Sequence, residues 1–254
     1  MGTIPMNRVM ERFDRLNAVN DAAGARRHLL YWLEEARLAG DDRAQLSICN
    51  ELMGAFRLAG NAEEAVRYAE SALVLIDKLE LEGTVSAGTV HVNCGTVFTA
   101  FGRPADAIPH YEHAAEIYRR SFHSADARLG SLYNNMAACL AATGEYAKAE
   151  EAYGNALRVM GELPGSEPEC AVTQLNLADL LGRAYGPADA CERIDDCTQQ
   201  AHDLLEKPGV ARDTNYAQVC GKCAPIFEYY GWFAYARELR GREKEIYESA
   251  RKDG

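Results

Sequence analysis

The fold is decided by residues 133–157, which read YNNMAACLAATGEYAKAEEAYGNAL. Small and apolar residues recur every three or four positions on both sides of Gly144, which is the spacing of one buried helix face. Glycine favours a tight turn because it adopts left-handed backbone conformations at little steric cost. The stretch therefore predicts two helices that are joined at Gly144 and packed against each other as a hairpin.

The same pattern recurs along the chain. Turn glycines stand at Gly60, Gly102 and Gly144, a spacing of 42 residues each time. Small residues around these turns let two helices approach closely, and larger residues beside them fill the remaining space. Pro104 and Pro187 each open a Pro-Ala-Asp-Ala run and are expected in the first turn of a helix, where the missing N–H costs little. The sequence thus indicates a stack of helix hairpins.

This arrangement of small and large residues resembles the tetratricopeptide repeat family along nearly the whole chain. The small-residue positions of that family correspond here to Gly95, Ala137, Ala178, Ala65, Ala107, Ala149, Ala190 and Ala236. The usual repeat of the family has about 34 residues. The longer period of this chain is similar to that of kinesin light chains and their bacterial look-alikes. Met53 departs from the pattern at a small-residue position, and no repeat keeps the aromatic-Leu-Gly signature intact.

The resemblance implies an all-α fold, a right-handed α-solenoid of about six antiparallel helix hairpins. We expect a single domain over residues 1–254, which begins with a degenerate capping hairpin at 6–38. The other five hairpins are expected at about 43–79, 86–121, 125–161, 168–206 and 213–252. Polar segments that contain glycine or proline separate them.

Composition favours a soluble cytoplasmic protein. The 254 residues carry a formal net charge of -11, which argues against a nucleic-acid surface because such a surface needs clustered Lys and Arg. No apolar run approaches the roughly 20 residues that a membrane span needs, and no secretory signal follows the first methionine. The eight cysteines stand mostly among apolar residues, so we expect reduced thiols in a reducing compartment.

The sequence contains no motif of a catalytic nucleophile, a phosphate-binding loop or a zinc protease. We therefore expect no enzymatic activity, no cofactor and no metal. Cys220 and Cys223 are spaced like a zinc or redox pair, but both fall at buried positions of a helix, which favours core packing. His110 and His113 share a helix face without a third partner, so surface or packing roles are expected for them.

Asparagines recur at positions that the resemblance places in a groove. In the family the first helix of each hairpin lines the concave surface, and this register puts Asn93, Asn135 and Asn176 there, with Asn50 and Asn134 one position earlier. Asparagine is a poor helix former that offers both a donor and an acceptor, so its recurrence indicates a role. Two roles stay open: binding the backbone of an extended peptide, or bonding a neighbouring helix to align the hairpins.

Charged residues complete the predicted site. The candidate peptide-binding residues are Asn50, Asn93, Asn134, Asn135, Asn176, Arg57, Asp179, Arg183 and Lys222. Ser47, Thr89 and Ser131 stand where lysines of the family form a carboxylate clamp, which argues against a chaperone-tail ligand.

We therefore expect a non-enzymatic interaction module that binds an extended peptide or protein tail in its concave groove. Nucleic acid and membranes are not expected as partners. The alternative is a structural scaffold subunit, including a homodimer, in which the asparagines only align repeats. Such a scaffold subunit would contact its partner through the convex surface or through the aromatic cluster of Tyr229, Tyr230 and Trp232.

Overall fold

The computed structural model describes residues 4–122 and 126–250. These residues form twelve α-helices and no strand. The helices are α1 (Met6–Ala18), α2 (Ala22–Ala39), α3 (Asp42–Leu58), α4 (Ala62–Lys78), α5 (Val85–Ala100), α6 (Pro104–Ser121), α7 (Ala127–Ala142), α8 (Tyr146–Gly161), α9 (Glu167–Tyr185), α10 (Cys191–Leu205), α11 (Thr214–Tyr229) and α12 (Phe233–Ala250). The predicted hairpin boundaries at residues 125 and 252 lie outside the described residues.

The helices pair in chain order as hairpins, and the all-α prediction is confirmed. Gly144 shows how the turn between α7 and α8 forms. Its φ of 82° is left-handed, and its N–H donates to the Ala141 carbonyl at 3.2 Å while the Glu145 N–H donates to the Leu140 carbonyl at 2.9 Å. This pair of bonds satisfies carbonyls at the end of α7 and reverses the chain before α8.

The chain divides into two compact units, with the boundary between Ser121 and Phe122. Unit 1 contains α1–α6 and unit 2 contains α7–α12. Within a unit, first helices of successive hairpins contact each other: α3 contacts α5 in unit 1, and α9 contacts both α7 and α11 in unit 2. Each unit thus presents a face made of first helices. A single uninterrupted domain over the whole chain stays a prediction.

The small-residue positions are buried at the contact between paired helices. Gly95 shows the constraint, since a Cβ atom added there would lie 2.7 Å from a ring carbon of Tyr111. Tyr111 is itself buried, with 1% of its surface exposed, so the ring has no room to retreat. The space between α5 and α6 therefore requires a residue without a side chain.

One helix start differs from the prediction. α6 begins at Pro104 as expected, but α10 begins at Cys191, so Pro187 lies in the turn before the helix. Pro187 itself explains the difference. Gly186 has a positive φ of 86°, as Gly144 does, but the proline that follows it has no N–H and cannot donate the second bond that Glu145 donates to the Leu140 carbonyl. The Ala190 N–H instead donates to the Gly186 carbonyl at 3.1 Å, in a turn that precedes α10.

We expect Gly95→Ala to destabilise the protein by about 1–3 kcal/mol, because overpacking against the fixed Tyr111 ring exceeds the gain in helix propensity. Urea unfolding followed by circular dichroism measures the change. Gly154→Ala in α8 is the matched control, since its Cβ would meet no atom within 4 Å. The control should stabilise by about 0.5–1 kcal/mol. Equal stabilisation by both substitutions would contradict the close-approach argument.

Candidate functional site

The first helices of unit 1 enclose a cavity of about 390 Å³. Its wall combines polar and apolar side chains from α1, α3 and α5. The lining residues are Met10, Leu46, Ser47, Asn50, Glu51, Val85, Ser86, Thr89 and Val90. An apolar cavity with a few polar groups suits a ligand that inserts a side chain and presents hydrogen-bonding groups beside it. Sequence reasoning did not place Met10 at the site, because the capping hairpin is degenerate and its register against the later hairpins is not evident from the repeat pattern.

Asn50 joins this cavity to the predicted asparagine set. The Asn93 Nδ2 donates to Asn50 Oδ1 at 2.9 Å, which links α5 to α3. Both side chains are half-buried. The bond uses one donor of Asn93 and one acceptor of Asn50, and an amide has capacity for further bonds. The pair therefore aligns two hairpins while it stands at the edge of the cavity.

Glu51 gives the cavity its charge. Burial raises the pKa of its carboxyl group, the hydrogen bond from Asn50 works in the opposite direction, and the nearby Asp14 raises the pKa further. A carboxylate that is partly desolvated and faces a second carboxylate is stabilised by a cation. The cavity therefore favours a positively charged group over an anion.

In unit 2, Asn134 is tied to the next hairpin. Its Nδ2 donates to Thr173 Oγ1 at 2.8 Å, which links α7 to α9. Thr173 is fully buried, and Asn134 Oδ1 is a buried atom without a hydrogen-bond partner among the described residues. This contact suits the role of aligning hairpins.

The other predicted residues stand apart from these bonds. Asn135 is exposed on α7, and Asn176 is half-buried on α9. Asp179 and Arg183 pair with each other along α9 at 3.0 Å, and both are exposed, so the pair contributes little stability.

Two further predicted residues complete the set. Arg57, on α3 of unit 1, is half-buried, and Lys222, on α11, is exposed. The structure thus brings two pairs of candidate residues into contact, Asn50 with Asn93 and Asp179 with Arg183. Among the described residues, no such bond joins the other candidates to one another.

A histidine cluster in unit 1 corrects the sequence interpretation. His110 and His113 do have a third partner, because His91 on α5 lies against both, with ring centroids 5.2 Å and 4.4 Å away. His91 Nδ1 and His110 Nδ1 share a hydrogen bond of 2.9 Å, and His113 Nε2 is 3.2 Å from Glu82 Oε2. The residues come from separate elements, so no local spacing in the sequence predicted the group.

The paired cysteines lie in the core of unit 2. Cys220 and Cys223 are fully buried, and burial raises the pKa of the Cys220 thiol to about 11 and that of Cys223 to about 12. Neutral buried thiols are poor nucleophiles and poor metal ligands. Their surroundings suit packing, as the sequence indicated.

The predicted aromatic cluster divides into two parts. Trp232 packs against Phe227 and Tyr235, with ring centroids 5.5 Å and 6.3 Å away. Tyr229 instead exposes 74% of its surface and Phe233 exposes 62%. Trp232 therefore packs against the core of the last hairpin, and the exposed aromatic surface is formed by Tyr229 and Phe233.

Comparison with protein families gives one match. A family model described as the tetratricopeptide repeat matches residues 39–120 and 128–193. No curated protein matches the chain significantly. Among the described residues, no helix has the length and apolar character to cross a membrane.

Several solved structures share the fold. BtubC of P. vanneervenii is 20% identical with a TM-score of 0.70 and covers 78% of this chain and 79% of its own. A kinesin light chain-like protein of Podosopora anserina with nearly identical TPR-like repeats is 18% identical with a TM-score of 0.59, over 81% of this chain and 96% of its own. A Rap protein complexed with Competence and Sporulation Factor is 16% identical with a TM-score of 0.55, over 96% of this chain and 75% of its own.

We expect a double-mutant cycle of Asn134→Ala and Thr173→Val to show a coupling energy of about 1 kcal/mol, the usual net contribution of one hydrogen bond. Urea unfolding of the four proteins measures it. The matched control replaces Asn134→Ala by Asn135→Ala, whose side chain is exposed, and should give additive effects. A coupling near zero in the first cycle would show that the Asn134 bond does not hold α7 to α9.

Proposed function

Because the chain belongs to the tetratricopeptide repeat family, we propose that it is a non-enzymatic interaction module that binds an extended peptide or protein segment. The binding surface in this proposal is the face of unit 1 formed by first helices. The ligand would insert one side chain into the cavity between α1, α3 and α5 and align its backbone with the asparagine amides beside it.

The cavity is the observation that carries the proposal. Its apolar part, which includes Met10, Leu46 and Val90, can accept the stem of a ligand side chain. Its polar rim, which includes Ser47 and Asn50, can satisfy the hydrogen-bonding groups that the ligand backbone loses to water on binding. A surface with both properties in one place suits an extended segment better than a smooth protein face.

The charges around the cavity indicate which charge the ligand carries. Glu51 lies in the cavity wall with a raised pKa and with Asp14 nearby, and the chain carries a net charge of -11. A lysine or arginine side chain, or a peptide amino terminus, would relieve the repulsion between these carboxylates. The proposed ligand is therefore a basic segment.

Unit 2 offers a second, independent set of groups. Asn135 is exposed on α7 and Asn176 is partly accessible on α9, whereas Asn134 is engaged by Thr173. We assign the first two to ligand binding and the third to alignment. In this proposal the two roles that the sequence left open, ligand binding and the alignment of hairpins, belong to different asparagines.

The Rap protein with its bound Competence and Sporulation Factor supports the proposal through the shared fold. At 16% identity the likeness concerns the arrangement of helices and transfers no ligand. It is consistent with a helix stack of this kind acting by holding a partner.

A scaffold role is the second candidate. It is favoured by the exposed rings of Tyr229 and Phe233 on the last hairpin. A homodimer through this surface would be tested with Tyr229→Ser and Phe233→Ser by light scattering over a range of concentrations. Trp232 is unsuitable for that test because its ring packs against the core of the last hairpin.

To test the main proposal, we would select ligands from a phage-displayed library of random peptides and measure their affinities by fluorescence polarisation. We expect enrichment of basic peptides. Glu51→Gln should weaken binding about tenfold, because a hydrogen bond to a charged group is worth about 1.5–3 kcal/mol.

Glu70→Gln is the matched control, since it makes the same charge change at an exposed position of α4 outside the cavity. Its effect on affinity should be less than twofold, as expected for a distant exposed charge at physiological salt. Enrichment of acidic peptides, or equal effects of the two substitutions, would rule out the cavity as the binding site for a basic segment.

A further inference from the structure

A cluster of metal-binding side chains lies in unit 1 outside the cavity described above. Glu82 stands in the segment between α4 and α5, His91 is on α5, and His113 is on α6. Each offers one ligand atom, and these three atoms all lie within 4.8 Å of one another. Three separate elements thus bring a carboxylate and two imidazoles to one point.

We propose that Glu82, His91 and His113 form a binding site for one divalent transition-metal ion of the zinc class. Two imidazole nitrogens and one carboxylate oxygen are a ligand set that zinc proteins use. Oxygen-only sites suit Mg²⁺ and Ca²⁺, so a set with two nitrogens selects against those ions.

The spacing of the ligand atoms fits such an ion. Bonds of about 2.0–2.2 Å in a tetrahedral arrangement place neighbouring ligand atoms about 3.4 Å apart. His113 Nε2 and Glu82 Oε2 are 3.2 Å apart, so this pair stands at that spacing. The limit of 4.8 Å for the remaining pairs is within reach of small side-chain rotations. Glu82 and His113 are half-exposed and have room for them.

His91 supplies the second, independent observation. Its Nε2 is a buried atom without a hydrogen-bond partner among the described residues. The bond between His91 Nδ1 and His110 Nδ1 needs a proton on one of the two nitrogens. If His91 Nδ1 carries it, Nε2 holds a free lone pair. If His110 carries it, His91 Nε2 is a buried N–H that lacks an acceptor, which is unfavourable.

A bound metal ion would determine which of the two Nδ1 atoms carries the proton. Coordination by His91 Nε2 leaves the proton on Nδ1, which then donates to His110 Nδ1 at the observed 2.9 Å. Metal-binding histidines commonly donate their other N–H to such a neighbour, which fixes the ring. His110, stacked on Phe98 with ring centroids 5.4 Å apart, is therefore a positioning residue in this site.

Charge is consistent with the same assignment. Burial and, to a smaller extent, the neighbouring His113 and His110 together lower the pKa of His91 to about 4, so the ring is neutral at physiological pH. A neutral imidazole is the form that binds a metal ion. An ion pair between His113 and Glu82 explains the placement of those two side chains but leaves His91 Nε2 unsatisfied.

The bound ion would connect α5, α6 and the segment that precedes α5. Three protein ligands leave a fourth tetrahedral position, which water can occupy. His91 is two residues before Asn93, so the two side chains point about 160° apart around α5. The metal site therefore does not depend on the proposed peptide cavity. An experiment can contradict either proposal and leave the other unaffected.

Isothermal titration of the untagged, chelator-treated full chain with ZnCl₂ tests the proposal. We expect one Zn²⁺ per chain with micromolar or tighter affinity, a rise in melting temperature with Zn²⁺, and no heat of binding with MgCl₂. Glu82→Gln and His113→Gln should each weaken binding at least about 100-fold, since even the loss of an outer-shell partner costs about 10–100-fold. Both side chains are half-exposed, so the variants should fold.

His202→Gln is the matched control, because it removes a histidine that pairs with a carboxylate elsewhere, at 3.1 Å from Asp203. It should bind Zn²⁺ like the unchanged protein. Titration with Co²⁺ should give the visible absorption of a nitrogen and oxygen site without charge transfer from thiolate, which separates this site from the cysteines. The absence of stoichiometric Zn²⁺ binding, or binding that survives both ligand substitutions, would overturn the proposal.

Discussion

The structure depends on the close approach of the two helices in each hairpin. Gly95 shows the requirement most directly, because a side chain there would enter the ring of Tyr111. When the backbones lie this near, large side chains such as Tyr111 and Leu140 must fill the gaps on either side, and they are buried accordingly. The period of the small residues thus sets the period of the whole stack. The proposed binding residues stand at positions that do not take part in this packing.

The asparagines show how one residue type can serve two purposes. Packing does not require a polar group at Asn50, Asn93 or Asn134, yet these side chains bond between successive hairpins. Such bonds offset the cost of removing an amide from water, although for Asn134 only the Nδ2 has a partner among the described residues and the Oδ1 has none. Asn135, next to Asn134 in sequence, points elsewhere and is exposed. Adjacent asparagines thus differ in surroundings: the Asn134 amide bonds to the next hairpin, and the Asn135 amide is accessible to solvent.

Local chemistry explains how much of this could be predicted from sequence. The turn at Gly144 and the start of α6 at Pro104 follow from the backbone preferences of glycine and proline, and both were predicted. Pro187 lies before α10 and not in its first turn, because a proline directly after the turn glycine has no N–H for the bond that Glu145 makes after Gly144. The contact of His91 with two histidines of α6 depends on how two helices are rotated against each other. Periodicity gives the buried face of a helix but not that rotation.

The two proposed sites of unit 1 follow from the same helix. α5 packs against both α3 and α6, so side chains on different sides of it meet different neighbours. Asn93 meets Asn50 on the side of the previous hairpin, and His91 meets His110 and His113 on the side of its own partner helix. A polar group on a side of α5 that packs against a neighbouring helix is removed from water and needs a partner there. The Nε2 of His91 has no such partner among the described residues while its Nδ1 bonds to His110, and the proposed metal ion would supply one.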